Sequence, residues 1–255
     1  MEAFEATTNP FGGVIPKPEA LPGELDVFSR RLDHSLTTWS EAGFKVVWLE
    51  LPMARAGLVP TAVESGFSYH HTGEDYVMLT LRLVENAFIP PFASHYVGAG
   101  GVVLNADNEL LVVHERRGKP GGPRYYKLPG GTVREGEHLS EGVVREVLEE
   151  TGVRTRFESL VCFRNLHGYR HGKSDIYFVC RLEPLSHRIS MQAEEIEECL
   201  WMPVEKYFTA ETVSTFNKLI VRASLESTGL ASHRIDGYRD PSLYEAFLPE
   251  NVAGP

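Results

Sequence analysis

The reading turns on Gly131-Thr-Val-Arg-Glu-Gly-Glu137, followed after seven intervening residues by Arg145-Glu-Val-Leu-Glu-Glu-Thr-Gly-Val153. From about residue 139 to 151 the pattern is helical, and Gly152 ends it, because glycine takes the left-handed conformation at a helix end without steric cost. On that helix Glu146, Glu149 and Glu150 fall at i, i+3 and i+4, so all three carboxylates project from one face. Like charges at this spacing repel by roughly a few tenths of a kcal/mol per pair on an exposed helix, and more when partly buried. Hard divalent cations such as Mg²⁺ or Mn²⁺ relieve that repulsion, and oxygen ligands are what they prefer.

Three acids on an arbitrary helix are a solvated face, so the flanks decide. Leu128-Pro-Gly-Gly131 precedes the helix, a turn whose glycines let backbone approach a ligand closely. Glu137 lies at a distance that folds it back toward the helix, and Arg145 is placed to hold a carboxylate through two of its guanidinium nitrogens. Upstream, a glycine-rich strand over 97–104, a turn cluster at 105–108 and an apolar strand over 109–114 predict a hairpin. Downstream, strands are expected over 157–164, 174–182 and 198–203, with a mostly helical stretch over 205–225.

Gly131, Glu137 and the run Arg145 to Val153 together resemble a complete Nudix box, and on those residues the chain is identified as a member of the Nudix hydrolase family. The resemblance implies an α/β fold, the Nudix α/β/α sandwich around a mixed sheet. It makes Glu146, Glu149 and Glu150 ligands of Mg²⁺ or Mn²⁺, Glu137 a nearby carboxylate that ligates or supports, and Arg145 the orienting residue, with the Gly131 carbonyl also reaching a metal. The implied reaction is attack of metal-activated water on one phosphorus of a diphosphate. One departure is Gly142-Val143, where relatives often carry alanine; glycine there costs about 1 kcal/mol of helix stability.

A second resemblance covers more of the chain. Gly66-Phe-Ser-Tyr-His-His-Thr72, Tyr76-Val-Met-Leu79, Ser94-His-Tyr-Val-Gly-Ala-Gly100 and Lys127-Leu-Pro-Gly130 are similar to the subgroup of plant ADP-ribose/NADH pyrophosphatases and the animal Nudix protein encoded antisense to a fibroblast growth factor. Those relatives carry a small α+β pre-Nudix domain. The organisation expected is an extended arm over 1–23, the pre-Nudix domain over 24–92, the Nudix domain over 93–231 and a tail of unassigned role over 232–255. Ile89-Pro-Pro-Phe92 marks the junction, since consecutive prolines neither continue a helix nor pair in a central strand.

The resemblance implies ADP-ribose or NADH as substrate, but the loops that select the group beyond the diphosphate differ among Nudix enzymes. Candidate selectors are Arg116, Arg117, Arg124, Tyr125 and Tyr126, a basic and aromatic loop able to pair with phosphate and stack a base. A second basic stretch runs through Arg164, His167, Tyr169, Arg170, His171 and Lys173; facing a polyphosphate, it would make a diphosphoinositol phosphate the substrate. Among Glu194, Glu195, Glu197 and Glu198, Glu195 is favoured as general base. His70 and His71 are read as structural, because neighbours on a strand point to opposite faces. A non-catalytic ligand sensor is the competing class, which the intact acid set disfavours.

Composition limits the alternatives. The 255 residues are 42% hydrophobic and 24% charged, near the globular average. A net charge of −10 argues against a dedicated nucleic-acid binder, which needs a basic surface, though not against a small phosphorylated ligand. Cys162, Cys180 and Cys199 lack metal-site spacing and are expected as buried free thiols. No stretch has the length of a membrane span, and the first residues do not read as a secretion signal, so a cytoplasmic protein is expected. A homodimer formed through the N-terminal domain is one role open to that domain, beside covering the active site or recruiting a partner.

Overall fold

In the computed structural model, residues 1–10, 12–116 and 125–252 are described, and the chain divides into the units Met1–Ser94 and His95–Pro255. In the first unit, β1 (Ala6–Thr8), β2 (Gly13–Pro16), α1 (Leu25–Glu41), β3 (Val46–Pro52), α2 (Val59–Glu64), β4 (Ser68–Thr72) and β5 (Tyr76–Arg82) follow in order. The strands form one sheet, β1-β2-β3-β5-β4. Helix α1 buries Phe28, Leu32 and Trp39, one apolar stripe at helical spacing, against Val47, Leu49, Leu51 and Leu79 of the sheet, with Ser35 buried on the same side.

The arm expected over 1–23 is instead part of this sheet and core. Phe4 is 3% exposed, its ring 6.0 Å from that of Phe28, with the Arg31 guanidinium 4.8 Å over it. The Phe4 amide donates to Ser35 Oγ at 2.9 Å, which gives the buried serine a partner from the arm. No local pattern in 1–23 announces this packing, because the anchors are long-range contacts.

Strand β4 also departs from expectation. A register shift between Tyr69 and His71 marks a bulge, so the two histidine rings meet instead of facing opposite sides. Their Nδ1 atoms lie 2.6 Å apart, His70 Nε2 is 2.8 Å from the Pro90 carbonyl, and His71 Nε2 is 3.2 Å from Tyr76 Oη. A carbonyl only accepts, so His70 donates from Nε2. The neutral arrangement that satisfies every group has Tyr76 donating to His71, and His71 donating to His70. His71 stacks on Phe92 with centroids 4.5 Å apart.

The second unit contains β6 (His95–Val103), β7 (Glu109–Glu115), β8 (Gly130–Thr132), α3 (Leu139–Thr151), β9 (Thr155–Leu166), β10 (Ser174–Pro184), β11 (Ile196–Pro203), α4 (Val204–Thr209), α5 (Thr215–Glu226), β12 (Ala231–His233) and β13 (Ala246–Leu248). A mixed four-stranded sheet, β8-β6-β10-β9, lies beside the β11-β7 pair. Period-two alternation sends Ala99, Val103 and Cys180 toward α3 and its Val143 and Val147. It sends Val102 and Val179 to the other face, where Tyr207 of α4 and Ile220 and Val221 of α5 pack. This is the α/β/α sandwich with a mixed sheet.

Two local expectations change here. The turn joining β6 and β7 forms, with Asn105 N donating to Glu109 O at 3.0 Å, but after the Leu104–Leu110 bridge the strands part. β6 has β8 and β10 as its partners while β7 pairs with β11. The stretch over 205–225 breaks into α4 and α5, with Ser214 capping α5 by accepting from Asn217 N at 3.1 Å. Of the thiols, only Cys180 is fully buried, and all three are free. No helix among the described residues is long and apolar enough to cross a membrane.

Candidate active site

Helix α3 ends where Gly152 takes φ 72° and donates to Leu148 O. That stop fixes the last turn, and with it Glu149 and Glu150, beside the loop at 190–195. Ser190 N and Gln192 N donate to Thr151 O and Glu150 O at 2.8 and 3.2 Å.

Arg145 is the hub of the polar face. Its guanidinium reaches Glu137 from Nε at 2.6 Å and from Nη2 at 2.9 Å, Glu146 from Nη1 at 2.7 Å, Glu149 from Nη1 at 3.1 Å, and the Thr132 carbonyl from Nη2 at 3.1 Å. Glu137 is held by this donation from Arg145 and, more weakly, by the Arg134 amide, which together lower its pKa to about 2 against the opposing effect of burial. The same contacts raise the Arg145 pKa. Arg134 adds a longer contact to Glu149 at 3.4 Å.

Glu150 turns away from this group. It is 5% exposed and accepts from the Gly130 amide at 2.9 Å, with Lys127 Nζ 4.0 Å away. Burial raises its pKa to about 7, only partly offset by Lys127 and the Gly130 amide. The three helix carboxylates therefore leave one face in two directions, and among the described residues no three metal-binding side chains converge on one point. The residues fit a divalent cation nonetheless. All the donors are hard oxygens, and Glu150 is a buried carboxylate whose nearest cationic group among the described residues is 4.0 Å off.

The two glycines of the turn do different work. Gly130 has φ +148°, and a Cβ there would lie 2.2 Å from Ala99 O; a Cβ on Gly131 would lie 2.5 to 3.0 Å from the Glu146 carboxylate group. Gly130 is thus needed by the backbone, and Gly131 by the acidic side chain that packs on it.

Two family profiles match the chain: one described as the Nudix hydrolase domain over residues 4–83 and one described as the NUDIX domain over residues 94–223. This chain belongs to the Nudix hydrolase family. It is 41% identical to Nudix hydrolase 2 of Arabidopsis thaliana over 96% of this chain and 84% of that protein. It is 33% identical to human nucleoside diphosphate-linked moiety X motif 6 over 94% of this chain and 81% of that one. Among solved structures, the MutT protein of Methanosarcina mazei Go1 aligns with a TM-score of 0.44 at 26% identity, over 52% of this chain and 94% of that chain. Nudix hydrolases cleave phosphoric anhydride bonds and generally need divalent metal ions.

The remaining candidates of this Nudix hydrolase lie as follows. Glu195 accepts from the Arg116 amide through its carbonyl at 2.8 Å, in the loop that touches the end of α3. Arg116 also donates from Nε to Ala193 O at 3.0 Å, so its guanidinium holds that loop. Tyr126 donates to Glu198 Oε2 at 2.7 Å, and the exposed Tyr125 offers its carbonyl to His114 at 3.1 Å. Arg117 and Arg124 lie outside the described residues. In the second basic stretch, Arg164 is ion-paired with Asp175 and lies over the rings of Tyr177 and Phe216, so that charge is already answered within the fold.

Two residues at the site escaped the sequence reading. Lys127 pairs with Glu115 of β7 and approaches Glu150. The link is the Lys127–Val113 bridge, in which each amide donates to the other's carbonyl at 2.9 and 3.0 Å. Lys127 was visible only as part of a motif, and nothing local ties Glu115 to the helix.

Proposed function

We propose that this hydrolase cleaves the diphosphate of a nucleoside diphosphate linked to another moiety, ADP-ribose or NADH being favoured, with Mg²⁺ or Mn²⁺ held by Glu146, Glu149 and Glu150. The observation that carries the reading is the buried Glu150 carboxylate on the same helix as Arg145, whose one guanidinium is shared by Glu137, Glu146 and Glu149. Bound divalent cations neutralise charge on phosphate oxygens and lower the pKa of water. Glu137 fixes Arg145, Arg145 orients Glu146 and Glu149, and the Gly131 turn leaves room for the Glu146 carboxylate and a carbonyl beside it. Glu195, in the loop along the end of α3, is the base in this reading. Arg116 and Tyr126 border the substrate, and Arg117 and Arg124 belong to the same proposed selector loop.

The substrate class is supported by the resemblance to plant ADP-ribose/NADH pyrophosphatases and by the nucleoside diphosphate-linked moiety in the human relative's name. The test is incubation with Mg²⁺ or Mn²⁺ and a panel of ADP-ribose, NADH, NAD, dinucleoside polyphosphates, nucleoside triphosphates and diphosphoinositol phosphates, with products resolved by chromatography. Metal-dependent AMP release from ADP-ribose or NADH is expected. Phosphate from the inositol compounds alone, or tight binding of one compound without turnover of any, overturns the reading.

A further inference from the structure

The first turn of α3 has no cap of its own. Its N-cap residue, His138, makes no side-chain capping bond, and Gly142 weakens the turn that follows. The acceptor comes from the far end of the chain. Glu245 accepts from Leu139 N at 2.5 Å, from Ser140 N at 3.4 Å and from the Ser140 hydroxyl. His138 Nε2 lies 3.1 Å from the Pro241 carbonyl and donates to it.

Glu245 is held firmly for this role. Its segment leaves the sheet through Leu230, whose amide and carbonyl pair with Leu160 at 2.8 and 2.9 Å, and returns as β13 against β12. On one side of Glu245, Tyr244 Oη accepts from Ile235 N at 2.9 Å. On the other, Phe247 packs 5.6 Å from Phe157 and joins the core under α3. This segment lies beyond residue 223, where the NUDIX profile match ends.

We propose that Glu245 is a positioning residue for the metal-binding helix, supplying from the C-terminal hairpin the cap that the helix lacks; the proposal rests on the site reading above. The path to the ligands is short. His138, whose carbonyl accepts the first-turn bond from Gly142 N at 2.8 Å, follows Glu137 directly. Glu137 in turn fixes the guanidinium that gathers Glu146 and Glu149. Fraying of the first turn moves Glu137 relative to Arg145 and loosens the ligand set from its N-terminal side, while the Gly152 stop still holds the other end.

The test uses the full chain as wild type, Glu245→Ala, and Glu245→Ala combined with His138→Asp, which places a capping carboxylate at the N-cap itself. Amide exchange of residues 139–142, Mn²⁺ binding by calorimetry, and kcat against metal concentration are read for each. Glu245→Ala is expected to speed exchange in the first turn and raise the half-saturating Mn²⁺ concentration, each about five- to tenfold, the order of a lost cap. kcat at saturating metal stays within about twofold, and the second substitution restores both quantities. Unchanged Mn²⁺ binding in Glu245→Ala, or first-turn exchange restored by His138→Asp without recovery of Mn²⁺ binding, overturns the proposal alone. A wild-type protein that binds no Mn²⁺ overturns the site reading and the proposal with it.

Discussion

Arg145 holds Glu137 through two contacts, Nε to Oε1 at 2.6 Å and Nη2 to Oε2 at 2.9 Å, and the same guanidinium reaches Glu146 and Glu149. Lysine carries the charge but not the planar fork, so it cannot serve three carboxylates in fixed directions. Arg145→Lys is expected to lower kcat/KM about ten- to a hundredfold with unchanged far-UV circular dichroism. Steady-state kinetics beside the spectrum check this, and wild-type kcat/KM in the variant would remove Arg145 from the account.

The adjacent glycines of the turn should fail differently when replaced by alanine. At Gly130 a methyl group meets the Ala99 carbonyl at 2.2 Å in a positive-φ conformation, so Gly130→Ala is expected to cost about 2 kcal/mol or more of stability. At Gly131 the methyl displaces only the end of the Glu146 side chain, so Gly131→Ala should remain folded and lose activity. Urea denaturation and turnover of both variants separate the two outcomes; equal stability losses would contradict the assignment.

His71 should make the first unit sensitive to acid. Burial, aided by the neighbouring His70, lowers the His71 pKa below its ordinary 6.5. The unfolded chain therefore binds more protons in that window, and the contribution to stability, complete above pH 6.5, is lost as pH falls through the lowered value. Thermal denaturation between pH 7.5 and 5 should show a steeper acid-side decline in wild type than in His71→Phe. Identical slopes would rule His71 out as the cause.

What the sequence disclosed was local. The spacing of Glu146, Glu149 and Glu150 and the Gly152 stop each express one element's periodicity, and the element is there. What it hid depends on contacts distant in the chain. Glu245 caps a helix whose first residue lies 106 positions away, Glu115 reaches Lys127 across a strand bridge, and Phe4 enters a core built by α1. The bulge that turns His70 toward His71, and the parting of β6 from β7, are choices of register and partner that no residue in those strands announces. The split of Glu150 from Glu146 and Glu149 is of the same kind, set by the Gly130 amide and not by helical spacing.

The central claim is that these carboxylates hold the metal for hydrolysis, and the most direct test is Mn²⁺-dependent AMP release from ADP-ribose by wild type, Glu149→Gln and Glu150→Gln side by side. Glutamine keeps the size and one acceptor oxygen and removes the charge. The account predicts metal-dependent release by the wild type and at least about a hundredfold less by each folded variant; a folded Glu150→Gln protein with full activity would contradict it.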